Sequence, residues 1–222
     1  MNILTAVGVR TRVVARWFGA FGIGASLCLS AMAVSAADGG VAQLRQFVAT
    51  VSAAEGRFEQ MVMAGSGRRP QLAEGLFAFE RPGRFRWTYA EPYPQLLVSD
   101  GQRLWIWDED LNQATVKELG DALGNTPAAI LAGQDALDDA FELIDAGREA
   151  GLDWVEATPR HADSGFESVR IGLSDGMLVR MEMRDHFAQT TVIEFFDLDT
   201  TTPLDPALFR FEPPPGADVI GE

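Results

Sequence analysis

Cysteine is almost absent from this chain: Cys28 is the only one. Lysine is as scarce, with Lys117 alone, and the histidines are two, His161 and His186. A single thiol excludes an internal disulfide framework, and two histidines in polar, turn-like stretches, with no second histidine at ligand spacing, offer no metal site. There is no phosphate-cradling glycine loop and no nucleophile elbow. The segment DEDLN at 108–112 sets Asp108, Asp110 and Asn112 like the opening of a calcium loop, but Gln113 stands where the turn glycine belongs and Leu119 where the bidentate glutamate belongs. With no nucleophile and base visible together, the expectation is a protein that is not an enzyme and needs neither metal nor cofactor.

What is abundant is acid, 32 Asp and Glu against 18 Lys and Arg. Three of the arginines (Arg10, Arg12, Arg16) precede the apolar run WFGAFGIGASLCLSAMAV, and VSAA follows with small residues suited to cleavage after Ala36 or Ala37. This reads as a secretory signal peptide over residues 1–37. The run is also about as long as a bilayer span, so an uncleaved anchor is the competing reading. Cleavage removes the only cysteine and leaves a formal net charge of −17 on residues 38–222, expected to be one domain in an exported compartment. Ala25-Ser26-Leu27 ahead of Cys28 puts a bulky leucine where lipoprotein processing wants a small residue, so no lipid anchor is expected. A field of that sign repels phosphate backbones and anionic lipid surfaces, which excludes nucleic acid as a partner.

Periodicity organises the rest. Val41, Leu44, Phe47, Val48 and Val51 recur at helical spacing. The period then drops to two through RFEQMVM, LFAFE, RFRWTY, PQLLVS, RLWIWDE and NQATVKE, with Asp100-Gly101 as a hairpin signal. GNTPAAILAG at 124–133 interrupts the strands with a short helix: Thr126 caps, Pro127 takes the first position and Gly133 closes. Its apolar body must lie on something. Strands resume with FELID, LDWVEAT, FESVRIGL, MLVRMEMR, TTVIEFFDL and FRFEP. In RFRWTY, Phe85, Trp87 and Tyr89 fall on one face, with Arg84, Arg86 and Thr88 on a wet one. In MLVRMEMR, Met177, Val179, Met181 and Met183 share a face.

The predicted fold is therefore mainly β with few helices, an antiparallel sheet of about ten or eleven strands that either closes on itself as a barrel or sandwich or stays open with helices across its mouth. Its inward set is bulky and adaptable: Phe77, Phe79, Phe85, Trp87, Trp105, Met181 and Met183. Such a set suits a cavity of variable apolar shape or, equally, a packed core.

Residues 75–133 carry a family likeness. The Arg-Pro-x-x-Phe-x-Trp run, the Leu-Val-Ser-Asp-Gly hairpin and the Gly-Asn-Thr-Pro helix start, in that order and followed by FRFEPPPG, resemble the periplasmic outer-membrane lipoprotein carrier (LolA) family of Gram-negative bacteria. The resemblance implies an unclosed antiparallel half-barrel with a helical lid over an apolar cavity. It implies a monomeric carrier that takes triacylated lipoproteins from an inner-membrane ABC transporter and delivers them to an outer-membrane receptor. Matched to that family, Arg81 is the lid latch, Ile130 and Leu131 are the lid plug, and Phe77, Phe79, Phe85, Trp87, Tyr89, Trp105, Val179, Met181 and Met183 line the acyl cavity. Extreme acidity and near-absence of lysine depart from the pattern, which leaves an envelope lipid-binding or sensor module with another cargo as the alternative.

Overall fold

The computed structural model describes residues 39–65, 68–119, 131, 137–160 and 164–221. The expected signal peptide, Ile130 and most of the short helix around it lie outside the described residues.

Helix α1 spans Gly40–Thr50 and is followed by β1 (Ala53–Met63), β2 (Gln71–Glu80), β3 (Arg84–Glu91), β4 (Gln95–Asp100), β5 (Arg103–Asp108) and β6 (Gln113–Glu118). One helical turn at Leu137–Ala140 leads into β7 (Phe141–Glu149), β8 (Leu152–Pro159), β9 (Phe166–Ser174), β10 (Met177–Asp185) and β11 (Thr190–Asp199). A 3-10 turn at Pro206–Phe209 and a short β12 (Asp218–Ile220) end the chain.

The strands form one sheet of 12, in the order β12-β6-β5-β4-β3-β2-β1-β11-β10-β9-β8-β7. Two antiparallel meanders meet where β1 pairs with β11, and among the described residues β12 alone pairs in parallel, on β6. β12 and β7 are the edges, so the sheet is unclosed. The strand count exceeds the expected ten or eleven, and the last strand differs. FRFEP lies unpaired, beginning inside the 3-10 turn and running into Pro213-Pro214-Pro215, which have no N–H to give a ladder.

Helix α1 lies on one face of β7–β10, here called the inner face, with Val41, Leu44 and Phe47 buried. Its first turn is held by strand side chains: the Val41 N–H donates to the Asp145 carboxylate at 2.8 Å and the Gln43 amide donates to Asp153 at 2.9 Å. A carboxylate at a helix N-terminus meets both unpaired amides and the positive end of the dipole. Gly40 is required by this approach, since a Cβ there would stand 2.9 Å from the Trp154 carbonyl oxygen.

The opposite face is not simply wet. The segment after β11 crosses it, so Arg86 donates to the Leu208 carbonyl at 3.2 Å, and Arg84 both pairs with Glu80 at 2.7 Å and lies over the Phe209 ring. Phe209 is buried, and burial lowers the Arg86 guanidinium from its ordinary range. The arginines of RFRWTY therefore bind the C-terminal segment to the back of the sheet.

Candidate functional site

The ladder registers align inner-face residues of β1 to β5 in three rows. The first is Ala54, Phe79, Phe85, Ser99 and Leu104; the second is Gly56, Phe77, Trp87, Leu97 and Ile106; the third is Phe58, Gly75, Tyr89, Gln95 and Asp108. The first two are overwhelmingly apolar, and the third turns polar along its length. Phe195 of β11 stands beside Phe58, and Met181 and Met183 of β10 continue the face across Ile193 and Thr191.

These side chains form an aromatic wall. Trp87 lies 4.3 Å from Phe58 and 5.6 Å from Phe77 between ring centroids, while Phe195 meets Phe77 edge-on at 5.3 Å. Tyr89 meets Phe58 edge-on at 5.2 Å. Such offset and edge-on pairs add about 0.5–1.5 kcal/mol each beyond area burial. Gly75 makes room for them: a Cβ there would fall 1.9 Å from the Thr88 carbonyl oxygen and 2.9 Å from the Phe58 ring.

Phe77, Phe79, Phe85, Trp87, Met181 and Met183 are all buried on this face, and Tyr89 is half-buried at its polar margin. Two residues predicted with them stand elsewhere. Trp105 pairs with Val98 on the outer face and meets Phe211 at 5.6 Å, leaving Leu104 and Ile106 inside. Val179 is the extra residue of a bulge between Leu178 and Arg180, which turns Leu178 inward against Leu173. Phe58, Leu97, Leu178 and Phe195 belong to the wall or its extension although alternation alone did not single them out.

At the first-row end sits Arg81. Its backbone N–H donates to the Ser52 carbonyl at 2.8 Å, and its guanidinium donates to the carbonyl of Val51, the residue that caps the C-terminus of α1. The guanidinium also covers the rings of Phe79 at 4.7 Å and Phe47 at 5.4 Å. Burial brings its pKa down to about 10. A cation on a C-terminal carbonyl satisfies an acceptor and opposes the negative end of the helix dipole. Leu131 is helical and buried, in one apolar cluster with Phe85, Trp87 and Met181.

At the polar end a groove of about 640 Å³ opens, lined by Gln60, Tyr89, Gln95 and Asp108 with Leu72 and Tyr93 at its rim. The Tyr89 hydroxyl donates to the Gln60 side-chain oxygen at 3.1 Å. Burial raises the phenol above its ordinary value, opposed by its polar neighbours Trp87 and Gln60. Among the described residues, no group of three or more metal-ligating side chains comes together.

An unclosed sheet with an aromatic wall on one half of its inner face and a helix packed on the other half defines a class of single-sheet proteins that present an apolar wall. Residues 49–212 match the family model described as outer membrane lipoprotein carrier protein LolA. An outer-membrane lipoprotein carrier protein of Dechloromonas aromatica is 45% identical over 195 residues, covering 88% of this chain and 94% of that one. A protein of the same description from Nitrosospira multiformis is 44% identical over 184 residues, covering 82% and 89%. A solved LolA superfamily protein from Nitrosomonas europaea superposes with a TM-score of 0.48 at 12% identity, covering 79% of this chain and 99% of that one. The chain belongs to the LolA family of outer membrane lipoprotein carrier proteins.

Proposed function

We propose that this protein is a periplasmic carrier of lipoproteins, holding their acyl chains against the inner aromatic wall beneath a helical lid. The observation that carries the reading is the placing of Phe77, Phe79, Phe85 and Trp87 on one face of an unclosed sheet, in a chain 45% identical to a named lipoprotein carrier. Hydrocarbon exposed to water is unfavourable by ~0.8 kcal/mol per CH₂, so a triacylated cargo needs a partner throughout its crossing.

In this reading the signal peptide, residues 1–37, is cleaved on export, and residues 38–222 act as a single-domain monomer. Empty, the hollow is filled by Ile130 and Leu131 from the lid, and Arg81 fastens the apolar end by holding helix-terminal carbonyls. The burial of Leu131 among wall residues and the Arg81 bond to Val51 support this arrangement. Acyl chains then exchange with the plug. Cargo is received from an inner-membrane ABC transporter and given to an outer-membrane receptor that binds it more strongly, so the carrier itself uses no nucleotide, metal or cofactor.

The test is competition. An apolar fluorescent probe is expected to bind the purified mature protein and to be expelled by a triacylated peptide but not by the same peptide without acyl chains. A protein that takes up no such probe, or releases it equally to both peptides, is not an acyl-chain carrier.

A further inference from the structure

The groove beyond the aromatic wall is lined by polar groups that the folded chain leaves largely unused. Its floor continues the inner face: Gln60 stands opposite Ala73, Val62 opposite Gln71, and Tyr89, Gln95 and Asp108 stand in line across β3 to β5. The Tyr89 hydroxyl donates to the Gln60 side-chain oxygen at 3.1 Å, but the Gln71 and Gln95 side-chain amides make no hydrogen bond among the described residues. Two carboxylates line the same groove. Asp108 receives the Leu111 N–H of its own turn at 3.0 Å, and among the described residues neither Asp108 nor Glu91 has an ion-pair partner. No described lysine, arginine or histidine lines the groove. It therefore presents amide donors and acceptors together with uncompensated negative charge.

Position and length select an occupant. The groove starts at Tyr89, which meets Phe58 edge-on at the margin of the wall, so whatever is joined to an acyl chain on the wall emerges here. From Phe58 to Val62 the strand advances about 13 Å, the length of about four extended residues. An extended polypeptide carries an N–H and a C=O at each residue, which glutamine amides can meet. Tyr93, exposed between Pro92 and Pro94, adds an aromatic ring at the rim. A phosphate headgroup would instead face two carboxylates with no cation to receive it. We propose that this groove holds the first few residues of the polypeptide joined to the acylated group, and that Glu91 and Asp108 make it favour basic over acidic side chains there. This selectivity rests on the acyl-carrying function proposed above.

The experiment compares three triacylated peptides, identical except that two of the four residues after the acylated cysteine are lysine, glutamine or glutamate. Each displaces an apolar fluorescent probe from the mature protein at low ionic strength, below its micelle concentration. The lysine form should act at about tenfold lower concentration than the glutamate form, with glutamine between them. Glu91→Gln combined with Asp108→Asn, which keeps an acceptor for the Leu111 N–H, should bring the three within about twofold of one another. In ¹⁵N-labelled wild-type protein, the side-chain amide resonances of Gln71 and Gln95 should shift with the glutamine peptide and not with palmitate, a readout that stands even if the variant does not fold. Three results overturn the peptide groove and leave the carrier function standing: equal displacement by the three peptides, amide resonances that answer alike to peptide and palmitate, or a lysine preference that the double variant keeps, which would belong to the net charge of the whole chain. Failure of all three peptides to displace the probe overturns both.

Discussion

Arg81 on the turn after β2 donates to the carbonyl of Val51 at the end of α1, so one side chain fastens the first helix to the apolar end of the wall. The same guanidinium lies over Phe47 of the helix and Phe79 of the strand, which joins the two elements through charge and ring faces at once.

Replacing Arg81 by leucine removes the donor and leaves Val51 dependent on solvent. The fold should survive with a loss of about 1–3 kcal/mol in urea unfolding. Acylated cargo should be retained when receptor is added, because the empty, fastened state no longer competes with it. Undiminished transfer would show that the bond has no part in release.

The pH behaviour of that bond follows from its cause. Burial lowers the folded-state value from the ordinary arginine range to about 10, so the unfolded chain holds the proton more tightly. The burden of burying this cation is full below about pH 10 and is relieved as pH rises from there toward the ordinary arginine range. Probe release should therefore show no transition from Arg81 between pH 6 and 9, when the guanidinium stays charged throughout.

Asp199 behaves in the opposite sense. It accepts from the backbone and hydroxyl groups of Thr201 and Thr202 at the end of β11, which holds its carboxyl far below the usual range. Its stabilisation is present above the unfolded value of 3.8 and is lost as pH falls toward the folded one. Asp199→Ala should flatten the acid limb of the stability profile below pH 4 relative to wild type; superimposable acid limbs would remove Asp199 from the account.

The bulge in β10 makes a contrast between neighbours. Leu178→Ala, which empties an inner-face site 3% exposed, should destabilise by about 2–4 kcal/mol, whereas Val179→Ala should cost about 1 kcal/mol or less. A reversed order would mean that the alternation of MLVRMEMR runs unbroken.

Gly75 supplies a sharper steric test. Gly75→Ala places a methyl against the Thr88 carbonyl and should lower the melting temperature by several degrees, with the Phe58–Tyr89 ring contact disturbed in near-ultraviolet circular dichroism. A variant as stable as the parent would mean that the two backbones are not so close.

These contrasts mark where sequence patterning was sufficient. RFRWTY was legible because one face is wholly aromatic and the other wholly polar, so pleat alone assigns Phe85, Trp87 and Tyr89 together. RLWIWDE was not, because both faces are apolar: Leu104 and Ile106 enter the wall while Trp105 and Trp107 pack on Phe211 from the C-terminal segment. Which pair goes inward is set by the Ser99-to-Leu104 register of the hairpin, not by side-chain size. MLVRMEMR concealed a bulge, since one inserted residue leaves local composition unchanged and reverses the faces beyond it. The arginines looked solvated because the chain that covers them lies more than a hundred residues away, and only tertiary packing reveals that the Leu208 carbonyl comes to Arg86. Phe195 was hidden for a related reason: its contact with Trp87 requires β1 and β11 to pair across the centre of the sheet, whereas Phe58 reaches Trp87 across β2, where Gly75 leaves room.

The most direct measurement adds the mature protein to spheroplasts that retain processed, outer-membrane-destined lipoproteins. A carrier should release them into the supernatant as a soluble one-to-one complex, and an Arg81→Leu variant should release them but fail to give them up to outer membranes. Lipoproteins that remain on the spheroplasts, while a known carrier frees them in parallel, would contradict the account.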